Sequence, residues 1–147
     1  MASEILKPVA VLALWTMVMW LWLYATRLPA MKRVKIDAIN MVGSTGKGLR
    51  EDLVAGGEVK ASWVADNYNH LHEAPTVFYA VALALAIMGG GNGMNAKIAW
   101  AYVGLRILHS LIQVISNRVV VRFALFALSS LCLIALCVHA AMAAFSG

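Results

Sequence analysis

The stretch AYVGLRILHSLIQVISNRVVVRF, residues 101–123, decides the fold because it places ionisable side chains at regular intervals in an apolar background. Tyr102, Arg106, His109 and Gln113 recur every three or four residues, so they form one stripe on one helical face. An arginine at the centre of a membrane helix costs about 2.5–3.5 kcal/mol. The stripe must therefore face a partner helix or a polar cavity. It either holds a bundle together by interhelical hydrogen bonds or lines a functional site.

The composition of the chain indicates a membrane protein with one domain. Of its 147 residues, 62% are apolar and 13% are charged, whereas soluble domains are about half apolar and a quarter charged. The net charge of +5 does not indicate nucleic-acid binding, because most basic residues flank apolar runs, where they act as topology signals. We predict an all-α, integral membrane four-helix bundle over 1–147. Its helices are expected at about 5–27, 63–88, 97–116 and 119–144.

The connections between these helices differ in charge. The first, residues 27–62, is rich in Lys and Arg, and the third carries Arg118, whereas the second has only Lys97. The positive-inside rule places the first and third connections in the cytoplasm and both termini outside. A retained first span, short loops and the lack of organelle signals favour a bacterial inner membrane, with an endoplasmic reticulum membrane as the alternative. GSTGKGL, residues 43–49, resembles a phosphate loop but lacks its first glycine and the Ser or Thr after the lysine. We predict a flexible loop there.

A second polar cluster opens the second helix, in ADNYNHLHEAPTVFYA, residues 65–80. Asp66, His70 and Glu73 share one helical face. Pro75 removes a backbone donor and is expected to kink or loosen this turn. A kinked polar turn is either the lining of a site or a bent helix end with solvated side chains.

The histidines do not form a recognisable metal motif. His70 and His72 point to different helical faces, and the chain has neither a His-Glu-x-x-His motif nor the Cys-x-x-Cys-His motif of covalent haem. No metal site is predicted. His139 stands alone in the fourth helix, where we expect a hydrogen-bonded core residue.

Two segments carry a resemblance to a known family. RILHSLIQVISNRVVVR, residues 106–122, and NHLHEAPTVFY, residues 69–79, together with four short helices and a basic first connection, resemble the MAPEG family. These are membrane-associated proteins of eicosanoid and glutathione metabolism. The resemblance implies a homotrimer of four-helix subunits, with glutathione bound between neighbouring subunits at the cytoplasmic side.

The resemblance also implies roles for individual residues. Arg122 would be the catalytic residue that stabilises the glutathione thiolate, since a neighbouring guanidinium lowers the pKa of a thiol from about 8.5. Arginine forks suit the two carboxylates of the tripeptide, and a carboxylate suits its ammonium group. The implied glutathione-binding residues are Arg27, Asn69, His70, Glu73, Arg106, His109 and Gln113.

Two functions follow from the resemblance. The first is a glutathione-dependent transferase or peroxidase that acts on lipophilic electrophiles, so that its partners are other copies of the chain, membrane lipids and a lipophilic small molecule. The alternative is a non-catalytic accessory subunit of a larger membrane protein assembly. Asp66, Gln113 and Phe123 favour the alternative, because the family often has arginine and tyrosine at the first two places and one of its members has serine at the third.

Overall fold

The computed structural model describes residues 2–146, and within that range the chain forms six α-helices and no strand. The helices are α1 (Leu6–Arg33), α2 (Gly46–Ala55), α3 (Val59–His70), α4 (Ala74–Ile87), α5 (Met94–Ile115) and α6 (Val119–Phe145). Four helical segments are long and apolar enough to cross a membrane: α1, α3 with α4, α5, and α6. The predicted all-helical membrane fold with four spans is confirmed.

The second span is interrupted rather than continuous. α3 ends at His70 and α4 begins at Ala74, so the kink expected from Pro75 is a complete break in the helix. Pro75 occupies the first turn of α4, where its missing N–H is tolerated. The hydroxyl of Thr76 donates to the carbonyl of His72 at 2.6 Å, which satisfies one acceptor in the break. The predicted single helix over 63–88 is wrong at this point.

The flexible loop predicted at residues 43–49 is helical from Gly46 onward, because α2 begins there. The first connection is also shortened at its start, since α1 continues to Arg33 instead of ending near residue 27. Thr45 caps α2, because its hydroxyl oxygen accepts a hydrogen bond from the Gly48 N–H at 3.1 Å. Leu53 of α2 is fully buried and packs in one cluster with Ala30 of α1. The bundle therefore holds α2 in place.

The two ends of the bundle differ in character. The basic end, as we name it, comprises the C-terminal part of α1, α2, the start of α3 and the α5–α6 turn. There the Arg33 guanidinium donates to the Glu58 carboxylate, with Nη2 and Oε2 at 2.9 Å, and this hydrogen bond lowers the pKa of Glu58. At the opposite end the Ile5 N–H donates to the Gly91 carbonyl at 2.9 Å, which ties the N-terminal segment to the α4–α5 turn.

The main core lies between the four spans and is apolar. Phe78 of α4 stacks on Tyr102 of α5, with ring centroids 4.5 Å apart and planes 22° apart. Near the opposite end, His139 of α6 makes a 2.6 Å hydrogen bond between its Nδ1 and Oδ1 of Asn95. The hydrogen bond expected of this histidine is confirmed, although its side chain is half-buried rather than in the core.

Replacing Gly91 by alanine is expected to lower the free energy of unfolding by about 1–3 kcal/mol, the usual cost of overpacking. A Cβ at Gly91 would lie 2.1 Å from Ser3 Oγ, 2.6 Å from Ile5 Cγ2 and 3.1 Å from the Cα of Ala86. Gly104→Ala is the matched control, since a Cβ at Gly104 meets nothing within 4 Å. Thermal unfolding in detergent measures both variants, and equal stabilities would contradict the packing described here.

Candidate functional site

A cavity of about 280 Å³ opens at the basic end, where the break between α3 and α4 faces α5 and the first turns of α6. It is lined by His70, Glu73, Arg106, His109, Val119, Arg122, Phe123 and Phe126. An adjoining cavity of about 280 Å³ is lined by Asp66, Asn69, His70, Glu73, Gln113 and Arg122. We call the two together the polar groove, because they share His70, Glu73 and Arg122.

The α5 stripe forms the inner wall of the polar groove. Tyr102, Arg106, His109 and Gln113 are each no more than 6% exposed, so the stripe faces the interior of the bundle as predicted. The 3.6-residue period of α5 brings these side chains to one face. Arg106, His109 and Gln113 line the groove, whereas Tyr102 lies deeper, in the apolar core.

Two arginines of the groove have no acidic partner among residues 2–146. The guanidinium carbon of Arg106 lies 5.8 Å from the ring centroids of both Tyr102 and Phe126, so aromatic faces surround it. Arg122 donates from Nη1 to Oδ1 of Asn117 at 2.6 Å. The Nε atoms of both arginines are buried without a hydrogen-bond partner in the described part of the chain. Two such cations beside one cavity favour an anionic ligand.

Polar contacts between α3 and α5 fix the shape of the groove. Nδ1 of His70 and Oε1 of Gln113 are 3.0 Å apart, so the imidazole N–H donates to the amide oxygen. Asn67 donates from Nδ2 to the hydroxyl of Ser110 at 2.7 Å, and both side chains are buried. Asn67 and Ser110 are not among the predicted site residues, although Asn67 lies one helical turn before His70 and Ser110 adjoins His109.

Arg27 does not line the polar groove. It lies in a third cavity of about 390 Å³, between α1, α2 and α3, together with Lys47 and Arg50. This third cavity, which we call the cationic cleft, adjoins the groove because Asp66 and Asn69 line both. The predicted site residues are thus divided between the groove and the cleft.

Asp66 is paired with Arg50, which is not among the predicted site residues. Arg50 of α2 donates from Nε to both carboxylate oxygens, at 3.1 and 3.2 Å, and from Nη2 to Oδ2 at 3.1 Å. The acid that would repel an anionic ligand is therefore neutralised by a side chain of the first connection.

The histidines of the site do not converge with acids in a metal-binding arrangement. Within residues 2–146, no group of three or more His, Cys, Asp or Glu side chains is placed to hold a metal ion. His70 and His109 lie with ring centroids 6.3 Å apart, and His70 contacts Gln113 instead. His70 is thus a hydrogen-bonding group on the wall of the groove.

Comparison with known proteins covers nearly the whole chain. The MAPEG family model matches residues 5–142, a range that includes every residue lining the polar groove and the cationic cleft. Searches of curated proteins and of solved structures give no match.

Proposed function

Because the chain belongs to the MAPEG family, we propose that it is a glutathione-dependent transferase or peroxidase that acts on lipophilic electrophiles in the membrane. Family membership supports a membrane role in glutathione or eicosanoid metabolism. The proposed transferase or peroxidase activity rests on one observation. Arg106 and Arg122 face one cavity, and neither forms an ion pair within residues 2–146.

Glutathione suits the polar groove by its charges. The tripeptide has two carboxylates, one ammonium group and a thiol. Arg106 and Arg122 supply donors for anionic groups, and the Glu73 carboxylate at the exposed rim suits the ammonium. His109, His70, Asn69 and Gln113 add hydrogen-bonding groups along the same wall. Arg27 would act from the cationic cleft, on a carboxylate that extends beyond the groove.

The chemistry depends on the charge of the sulfur. Arg122 beside the thiol favours the thiolate, which is the reactive form. In the transferase reaction the thiolate attacks an electrophilic carbon and the leaving group departs with its electron pair. In the peroxidase reaction it attacks a hydroperoxide oxygen, giving a sulfenic acid and, after protonation of the leaving oxygen, an alcohol. A second glutathione then reduces the sulfenic acid, giving glutathione disulfide and water.

The acceptor is proposed to enter from the bilayer. Val119, Phe123 and Phe126 line the outer wall of the first cavity, and all three are exposed apolar side chains of α6. Such a wall admits lipophilic molecules, whereas the arginines retain the polar thiol inside. We also propose that the chain forms a homotrimer, with the basic end in the cytoplasm and both termini outside a bacterial inner membrane. The basic connections support this orientation.

Calorimetric titration of the detergent-solubilised protein with glutathione tests the proposal. We expect saturable binding at millimolar concentration or below, together with conjugation of a dinitrophenyl halide or reduction of a lipid hydroperoxide. Oxidised glutathione, which has no free thiol, is the control for non-specific uptake of an anion. The absence of both binding and turnover would contradict the proposal.

The accessory-subunit alternative is supported by two features of the groove. The amide oxygen of Gln113 is already engaged by His70, and the large side chain of Phe123 stands next to Arg122 with 69% of its surface exposed. Both features reduce the number of polar groups that a tripeptide can use. A membrane protein partner that co-purifies in fixed stoichiometry, from a preparation that binds no glutathione, would favour this alternative.

Asn117→Gly is expected to weaken thiolate stabilisation without unfolding the protein. Asn117 has a positive φ of 49°, which glycine adopts freely, but glycine lacks the Oδ1 that accepts from Arg122. We expect a fall of about threefold to tenfold in the rate of glutathione conjugation, typical of one lost hydrogen bond. An unchanged rate in the glycine variant would show that Asn117 does not position Arg122.

A further inference from the structure

The cationic cleft beside the polar groove is lined by more basic than acidic side chains. Arg27 of α1 and Lys47 and Arg50 of α2 line it, and Asp66 of α3 is the one acid among its lining residues. Nε of Arg27 is buried without a hydrogen-bond partner in residues 2–146. α2 therefore contributes two cations to a cavity of about 390 Å³ that adjoins the groove at Asp66 and Asn69.

The Arg50–Asp66 ion pair stands at the junction of the two cavities. Its three hydrogen-bond distances lie between 3.1 and 3.2 Å, and its side chains are 45% and 31% exposed. A half-exposed pair contributes little to stability. Its position is the more informative property, because Asp66 lines both the cleft and the groove.

We propose that Arg50 is a specificity-determining residue of the thiol site: it offsets the charge of Asp66 and, with Lys47, directs the distal carboxylate of the thiol co-substrate into the cationic cleft. This inference rests on the proposed glutathione-dependent function. An uncompensated carboxylate at the junction would repel the ligand carboxylate, whereas the paired arrangement leaves the cleft with a net positive charge. Arg50 of α2 thus offsets the repulsion that Asp66 would exert on the ligand carboxylate.

Four proteins test this role: wild type, Arg50→Gln, Asp66→Asn and the double variant. Each is titrated with glutathione and with its glycine amide, which lacks the distal negative charge. For Arg50→Gln we expect about tenfold weaker glutathione binding, because an acid is unmasked and a charge-assisted donor is lost. Asp66→Asn is expected to bind glutathione about threefold more tightly, since Arg50 is released. The double variant should bind between the two single variants.

The glycine amide distinguishes a direct charge effect from a structural one. Its affinity should change less than about twofold in Arg50→Gln, because it has no carboxylate for the cleft to bind. Arg33→Gln is the matched control: it breaks the ion pair with Glu58, which also stands at the basic end but lines neither the groove nor the cleft. Thermal unfolding of each variant verifies that it is folded.

The possible results separate the two proposals. If wild type binds no glutathione, the proposed function fails. If wild type binds it and Arg50→Gln behaves like Arg33→Gln, the role of Arg50 is overturned while the function stands. Equal losses for glutathione and its amide would also overturn the role, because they would indicate a structural effect. Should Arg50→Gln not fold, Asp66→Asn decides alone, and unchanged or weaker affinity would refute the inference.

Discussion

Arg106→Leu is expected to stabilise the ligand-free protein by about 1–4 kcal/mol, the gain seen when buried ionic groups are replaced by well-packed apolar residues, and to abolish measurable glutathione binding. The Arg106 side chain is 4% exposed, has no acidic partner in residues 2–146 and leaves its Nε unpaired. Its contacts with the rings of Tyr102 and Phe126 offset only part of the free energy that burial of an unpaired guanidinium costs. Stability and binding should therefore change in opposite directions.

Thermal unfolding and calorimetric titration on the same preparation measure the two effects of Arg106→Leu. Arg118→Leu is the control, since Arg118 is exposed and does not line the groove, so its stability should change by less than about 0.5 kcal/mol. If Arg106→Leu proves less stable than wild type, Arg106 is a structural residue of the bundle, and the stripe on α5 serves to hold helices together.

Arg122→Ala is expected to raise the pKa of the bound glutathione thiol by about 1–3 units, the usual effect of losing a neighbouring opposite charge. Without Arg122 less thiolate is present at neutral pH, so the rate falls there. At a pH above the raised pKa the thiol is ionised in the variant as well, so the rate recovers as the pH rises. At neutral pH the loss in conjugation rate should be about tenfold to a thousandfold. Ultraviolet absorbance of the thiolate in the enzyme–glutathione complex should fall in parallel.

The pH–rate profile distinguishes this role of Arg122 from a structural one. In Arg122→Ala the rising limb should shift to higher pH, and Arg122→Lys should shift it less, since a cation remains without the planar fork. Arg118→Ala should leave the profile unchanged, because that side chain lies outside the groove. A uniform loss of rate at every pH would show that Arg122 does not act on the thiol.

Hydropathy was sufficient to predict the four spans and the class of fold, because the apolar runs are long and few charges interrupt them. The spacing on α5 was equally informative: a polar stripe in an apolar helix has to be buried, as Arg106 and Gln113 are. The break after His70 was only half predicted. Pro75 indicates a disturbed turn, but whether a helix bends or stops there depends on contacts that the local sequence does not contain.

The Arg50–Asp66 pair illustrates what could not be predicted. The two residues are 16 positions apart, and they meet because α2 folds back against α3. The glycine-rich segment at residues 43–49 suggested a flexible loop. The start of α2 was therefore not predicted, although Thr45 caps it. If α2 is not predicted, Asp66 is interpreted as an unpaired charge that opposes anion binding. The cationic cleft, which α2 helps to form, cannot be predicted either.

The apolar outer wall of the first cavity, formed by Val119, Phe123 and Phe126, has a kinetic consequence under the proposed function. An acceptor that arrives through this wall is drawn from the hydrocarbon phase, so its effective concentration is its mole fraction in lipid. Diluting the protein with empty vesicles should therefore slow turnover at constant bulk substrate. Each added methylene favours partitioning of the acceptor into lipid by about 0.8 kcal/mol. Apparent Michaelis constants for a homologous series of acceptors should therefore fall with increasing chain length.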